Sequence, residues 1–175
     1  ALILATGVAL YQFLVPLYGA QRGDAALMRT ASSAAFMQLI LIGIAFAVLM
    51  HGYIVSDFSI MNVAENSHSA KPLLYKISGV WGNHEGSMLL WVLILAFYGS
   101  AVAGFGGNLP PELKARVLAV QGAVGLAFLL FIVLTSNPFM RLSPPPIEGN
   151  GLNPILQDPA LAFHPPFLYA GYVGL

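Results

Sequence analysis

The chain has 175 residues, 58% hydrophobic and 8% charged, with a formal net charge of zero. Soluble domains carry roughly a quarter charged residues, so a chain this apolar, of mean hydropathy +0.78, belongs in a membrane. Its charge balance offers no basic surface for nucleic acid. With no cysteine, the chain contains no disulfide, thiolate metal site or cysteine nucleophile.

In chain order, the first apolar span covers residues 1–19, with Pro16 near its end, and the second covers 34–55. The third covers 87–105, the fourth 117–136, and a fifth begins at Pro165. Each complete span is close to the ~20 residues that cross a bilayer as a helix. Helices are required, because an isolated strand leaves backbone groups unsatisfied in lipid. The expected fold is all-α: a polytopic transmembrane helix bundle of four spans plus the start of a fifth, with long external loops. The sequence opens without methionine and stops inside an apolar run. Residues 1–175 are therefore expected to be the N-terminal transmembrane part of a larger protein.

Charge assigns the loops to sides. Residues 21–33 carry Arg22, Arg29 and Asp24, and residues 106–116 carry Lys114, Arg116 and Glu112. Both are short and net basic, which by the positive-inside rule places them in the cytoplasm. Residues 56–86 and 137–164 become external loops. They hold Asp57, Glu65, Glu85, Glu148 and Asp158, five of the seven acids, together with Lys71, Lys76 and Arg141. Function is expected on that outer side.

The segment Trp81-Gly82-Asn83-His84-Glu85-Gly86-Ser87 crowds polar groups against the outer end of the third span. Asn83 or Ser87 fits a helix N-cap, and Glu85 suits the positive end of the helix dipole. Trp81 and Trp91 suit an interfacial aromatic belt. His84 and Glu85 also fit a ligand-orienting or proton-relaying pair. His51 and His68 are isolated, and no two histidines have the spacing of a zinc or copper site. The proline-rich stretch 138–159 reads as a stiff connector, or as a segment packed over the helix ends that positions His164. His164 precedes Pro165-Pro166. Proline disfavours helix in the residue before it, which predicts an extended hinge for His164 at the mouth of the fifth helix. There an imidazole at the membrane surface suits an axial haem ligand as well as a helix anchor.

Four segments taken together resemble the CcmF/NrfE family, the haem lyase subunit of bacterial cytochrome c maturation. They are Trp81-Gly82-Asn83-His84-Glu85-Gly86-Ser87-Met88-Leu89-Leu90-Trp91, the stretch Phe131 to Phe139, the stretch Gly151 to Pro159, and Phe163-His164-Pro165-Pro166-Phe167-Leu168-Tyr169-Ala170-Gly171-Tyr172. Weaker similarity runs from Leu2 through Gly23. The resemblance implies a multi-pass protein of the bacterial inner (plasma) membrane with functional loops on the periplasmic side. It implies that b-type haem arrives as substrate from a periplasmic haem chaperone. Together with other cytochrome c maturation membrane subunits, such a protein attaches that haem to Cys-x-x-Cys-His of apocytochrome c. His164 matches an external histidine that ligates the haem iron, with Trp81, His84, Glu85, Tyr169 and Tyr172 near the site. A second external histidine, a tryptophan-rich segment and a structural haem b are implied elsewhere in the full-length protein. This chain would then supply one side of the site. Two other classes fit parts of the pattern. A transporter or proton-translocating subunit would use His51, His84 and Glu85, although the spans carry no charge at mid-depth. A non-catalytic assembly scaffold would use the stiff outer loops.

Overall fold

The computed structural model describes residues 1–174. Its α-helices are α1 Leu2–Arg22, α2 Ala25–Val55, α3 Met61–Asn66, α4 Leu73–Gly79, α5 His84–Phe105, α6 Pro111–Leu134 and α7 Pro159–Gly174. Four of them, α1, α2, α5 and α6, are long and apolar enough to cross a membrane. The all-helical multi-pass architecture is the one the apolar spans predict.

The two short connections close up more than their composition suggests. Between α1 and α2 only Gly23 and Asp24 remain. Gly23 takes φ +68°, and the Asp24 carboxylate accepts from the N–H groups of Ala26 and Leu27. A glycine in the left-handed region followed by an aspartate cap ends one helix and starts the next without a loop. At the same end Pro111 opens α6, where a missing N–H costs nothing. Lys114 Nζ donates to Ala103 O at 2.6 Å and places a cation at the negative end of α5.

Lipid gives helices no hydrophobic reason to associate, so close packing and interhelical hydrogen bonds must hold them. The buried faces are accordingly built from small residues, among them Ala5 and Ala9 on α1, Ala31 and Ala35 on α2, and Ala119 on α6. A Cβ on Gly122 would lie 3.0 Å from the backbone nitrogen of Phe13, so α1 and α6 meet almost main chain to main chain. Four side chains then tie the bundle in a closed ring. Gln12 of α1 donates to Leu118 O of α6 at 2.9 Å, and Gln121 of α6 donates to Leu95 O of α5 at 2.7 Å. Ser100 of α5 donates to Ala35 O of α2 at 3.1 Å, and Gln38 of α2 donates to Ala5 O of α1 at 2.9 Å.

At the opposite end, residues 56–86 are more than a loop, because they fold into α3 and α4 before α5 begins. Residues 137–151 are strapped across them. Ile60 and Arg141 form an antiparallel bridge, and Met61 N donates to Met140 O at 2.8 Å. Further along, Asn150 N donates to Ala64 O at 2.8 Å and Gly151 N to Ser67 O at 3.0 Å. The proline-rich segment is therefore a clasp packed over the helix ends, and a plain connector is ruled out.

The fifth apolar segment differs from expectation. Helix α7 starts at Pro159, six residues before Pro165, and His164 lies within it instead of in an extended hinge. Two features override the local preference of a residue before proline. The Asp158 carboxylate accepts from Ala160 N at 2.8 Å and Leu161 N at 3.2 Å, and Pro159 follows it as a ready first helical residue. Pro166 has no N–H for the carbonyl four residues back, that of Ala162. The Trp81 indole N–H donates to Ala162 O at 2.8 Å and supplies the missing bond. Tyr98 of α5 donates to Ala170 O at 3.1 Å and pins the far half of α7.

Two outcomes follow for the full-length protein. A Cβ on Gly86 would lie 1.6 Å from Val80 O, so Gly86→Ala must displace main chain. It should destabilise by about 3 kcal/mol, read as a lower unfolding midpoint, whereas Gly43→Ala, with open space around it, should be near neutral. Trp81→Phe keeps the ring bulk but orphans Ala162 O, a cost of about 1–3 kcal/mol. Amide hydrogen exchange over residues 160–170 should speed up while exchange in α1 and α6 stays unchanged.

Candidate functional site

Helix α5 begins where three elements converge, and a chain of polar side chains fixes that corner. Tyr53, completely buried near the end of α2, donates its hydroxyl to Asn62 Oδ1 of α3 at 2.7 Å. Asn83 Nδ2 donates to the same hydroxyl at 3.0 Å and to Gly79 O of α4 at 2.8 Å. Asn62 Nδ2 donates to Asn83 Oδ1 at 2.8 Å and to Glu85 Oε2 at 3.1 Å. Asn83 Oδ1 also accepts from Gly86 N at 2.8 Å, which caps α5. Of the two candidate caps, Asn83 serves. Ser87 instead donates its hydroxyl to Trp81 O at 2.8 Å.

Beside this corner lies a cavity of about 420 Å³, bounded on its other side by α7 and the residues just before it. Pockets for small molecules and cofactors run to about 300–1,000 Å³. Trp81, His84 and Met88 line it from the α5 side, Leu156 from the turn just before α7, and Pro165 and Tyr169 from α7. The wall is mostly aromatic and aliphatic, with one imidazole, the polar groups of Ser78, Asn83 and Ser87, and no carboxylate among the described residues. His84 is the first residue of α5. Its exposed ring meets Phe131 of α6 edge-on at 6.0 Å between centroids.

Three of the residues singled out from sequence, Trp81, His84 and Tyr169, thus share one cavity. Glu85 does not line it, because its carboxylate is engaged by Asn62. His164 does not line it either. It is exposed on α7, immediately before the cavity-lining Pro165. Tyr172 is 70% exposed, as are Phe163 and Phe167 to similar degrees, and these four side chains leave an aromatic and imidazole surface outside the cavity. His51 is exposed at the end of α2. His68 lies 3.9 Å from Glu148, whose carboxyl is pulled down to about 2, chiefly by the Ser69 hydroxyl bonded to it. Lys71 is buried, donates to Asn66 O at 3.0 Å, and is pushed down to about 8 by that burial and by nearby Lys76.

Tyr53 and Asn62 were not visible in the sequence as parts of the site. Tyr53 reads as one more aromatic at the end of an apolar span, and Asn62 sits in a stretch that reads as loop. The Asp158-Pro159 pair did carry a usable signal, since aspartate followed by proline is a typical helix start.

Comparison with known proteins places this geometry in a family. A family model described as cytochrome C assembly protein matches residues 81–175, the half that contains α5, the clasp and α7. The chain is 63% identical to the cytochrome c-type biogenesis protein ccl1 of Rhodobacter capsulatus, over 100% of this chain and 27% of that protein. It is 49% identical to the cytochrome c-type biogenesis protein CcmF of Escherichia coli, over 99% of this chain and 27% of that protein. A solved structure titled Cytochrome c Heme Lyase CcmF superposes with a TM-score of 0.85 at 27% identity, covering 99% of this chain and 27% of that one. The chain thus spans about a quarter of the length of these relatives. Matched by the family model over more than half its length and by these relatives from end to end, the chain belongs to the cytochrome c assembly protein family.

Proposed function

We propose that this chain forms part of an inner-membrane haem lyase subunit that takes haem from a periplasmic chaperone. In this reading it helps attach that haem to Cys-x-x-Cys-His of apocytochrome c. The observation that carries the proposal is the cavity between α5 and α7, with Trp81, His84 and Tyr169 on its walls and His164 on the adjoining turn. The clasped end of the bundle then faces the periplasm, in keeping with the basic residues Arg22, Arg29, Lys114 and Arg116 at the other end.

The chemistry asks for positioning more than for acid–base work. Adding a thiol S–H across a haem vinyl forms one C–S and one C–H bond and moves no net electrons to or from the pair. Holding the vinyl edge near the thiol supplies most of what a protein can contribute. His164 offers an imidazole to the iron from an exposed helical turn, where an incoming cytochrome histidine can compete for the same position. Trp81 and Tyr169 offer flat apolar surface, and His84 a second imidazole within the cavity. The scaffold and transporter readings gain no comparable support. The transmembrane helices bury glutamine and serine but no acid or base at mid-depth.

The experiment uses the full-length protein in cells lacking their own copy, with covalent haem scored on a Cys-x-x-Cys-His reporter. His164→Ala should reduce attachment at least tenfold at normal protein level. His84→Ala should give a smaller loss. Normal attachment in the His164 variant would leave His164 as a helix anchor and remove it from the haem site.

A further inference from the structure

The ring of side-chain bonds in the bundle leaves something over. Each of Gln12, Gln38 and Gln121 spends an Nε2–H on a backbone carbonyl of the next helix. Only the amide nitrogen can donate to a carbonyl, so these bonds fix which way each carboxamide faces. Its Oε1 is then committed to the other side. All three Oε1 atoms are buried, and no donor among the described residues reaches any of them. Gln12 and Gln38 are only 3% and 6% exposed. All three residues line one small cavity between α1, α2, α5 and α6. Gly99 makes room there, since a Cβ on it would lie 2.3 Å from Gln121 Oε1.

We propose that this cavity is a binding site for a single water molecule, held by the three glutamine carboxamides inside the transmembrane bundle. Size selects the occupant first. The cavity gives about 20 Å³ to a water-sized sphere, and about 10–15 Å³ is enough for one water while leaving none for a larger ligand. Hydrogen-bond chemistry selects next. Three bare acceptors call for a donor, and water brings two O–H groups. Each carboxamide also keeps a second N–H that can donate to the water oxygen, which gives the two to four bonds typical of a buried water. Charge decides against a monovalent cation of similar size. The other lining residues are Ala35, Ile42, Val92, Leu95, Ala96 and Gly125, with no carboxylate to offset the loss of hydration. An amide oxygen orphaned in an apolar bundle is strongly unfavourable, and one shared water relieves more than one of the three.

The test is a density map of the full-length protein in lipid nanodiscs, at a resolution that separates main-chain carbonyl oxygens. One sample is prepared in sodium and one with thallium(I) replacing it. The expected result is a single peak within hydrogen-bond distance of at least two of the three Oε1 atoms, equal in both samples. No peak would overturn the proposal. A peak that strengthens with thallium would also overturn it and assign the site to a monovalent cation. Neither result bears on haem attachment.

Discussion

One phenol and two carboxamides hold the clasped end of this protein in register. Tyr53, Asn62 and Asn83 come from the end of α2, from α3 and from the cap of α5, and each bonds the other two. Away from water such a network is stable only when all of its members are satisfied. Here the spare donors of Asn83 go to Gly79 O, and those of Asn62 go to Glu85. The start of α5, and with it His84, is therefore fixed by bonds to three other elements. Gly86 tightens the same corner, because its missing side chain is what lets α5 pass against the Val80 carbonyl.

The rest of the bundle solves a different problem. Lipid-facing surface is free to be apolar, and residues such as Ile40, Ile44 and Val120 are exposed without penalty in a bilayer. What must be specified is which helix touches which. Alanine and glycine at the crossings permit close approach, and the ring of Gln12, Gln121, Ser100 and Gln38 names the neighbours in order. Each bond ends on a backbone carbonyl, so the partner side chain at that position is free to vary while the register is kept.

Much of this was legible from the sequence, and the gaps have physical causes. The four long helices follow from span length and hydropathy. The cap role of Asn83 follows from its place before an apolar run. The clasp was legible only as proline-rich stiffness, since backbone pairs such as Met61 with Met140 leave no trace in side-chain pattern. The position of His164 was misread because a local rule about the residue before proline met a distant donor. Trp81 lies eighty-one residues from Ala162 in sequence and was read as an interfacial anchor. The three glutamines within apolar spans passed unnoticed, although uncharged polar residues there regularly mark helix contacts.

That indole bond has one more implication. The Trp81 side chain has a single N–H, and it holds the carbonyl two residues before His164 while its ring stands in the wall of the cavity. A guest that claims this proton must release Ala162 O, in a turn that Pro165 and Pro166 have already stripped of donors. A guest that leaves the proton alone keeps the turn closed. By thermodynamic reciprocity, a guest bound through that proton and the closed start of α7 would each weaken the other. The wall of the cavity and the turn that carries the imidazole thus share one hydrogen atom.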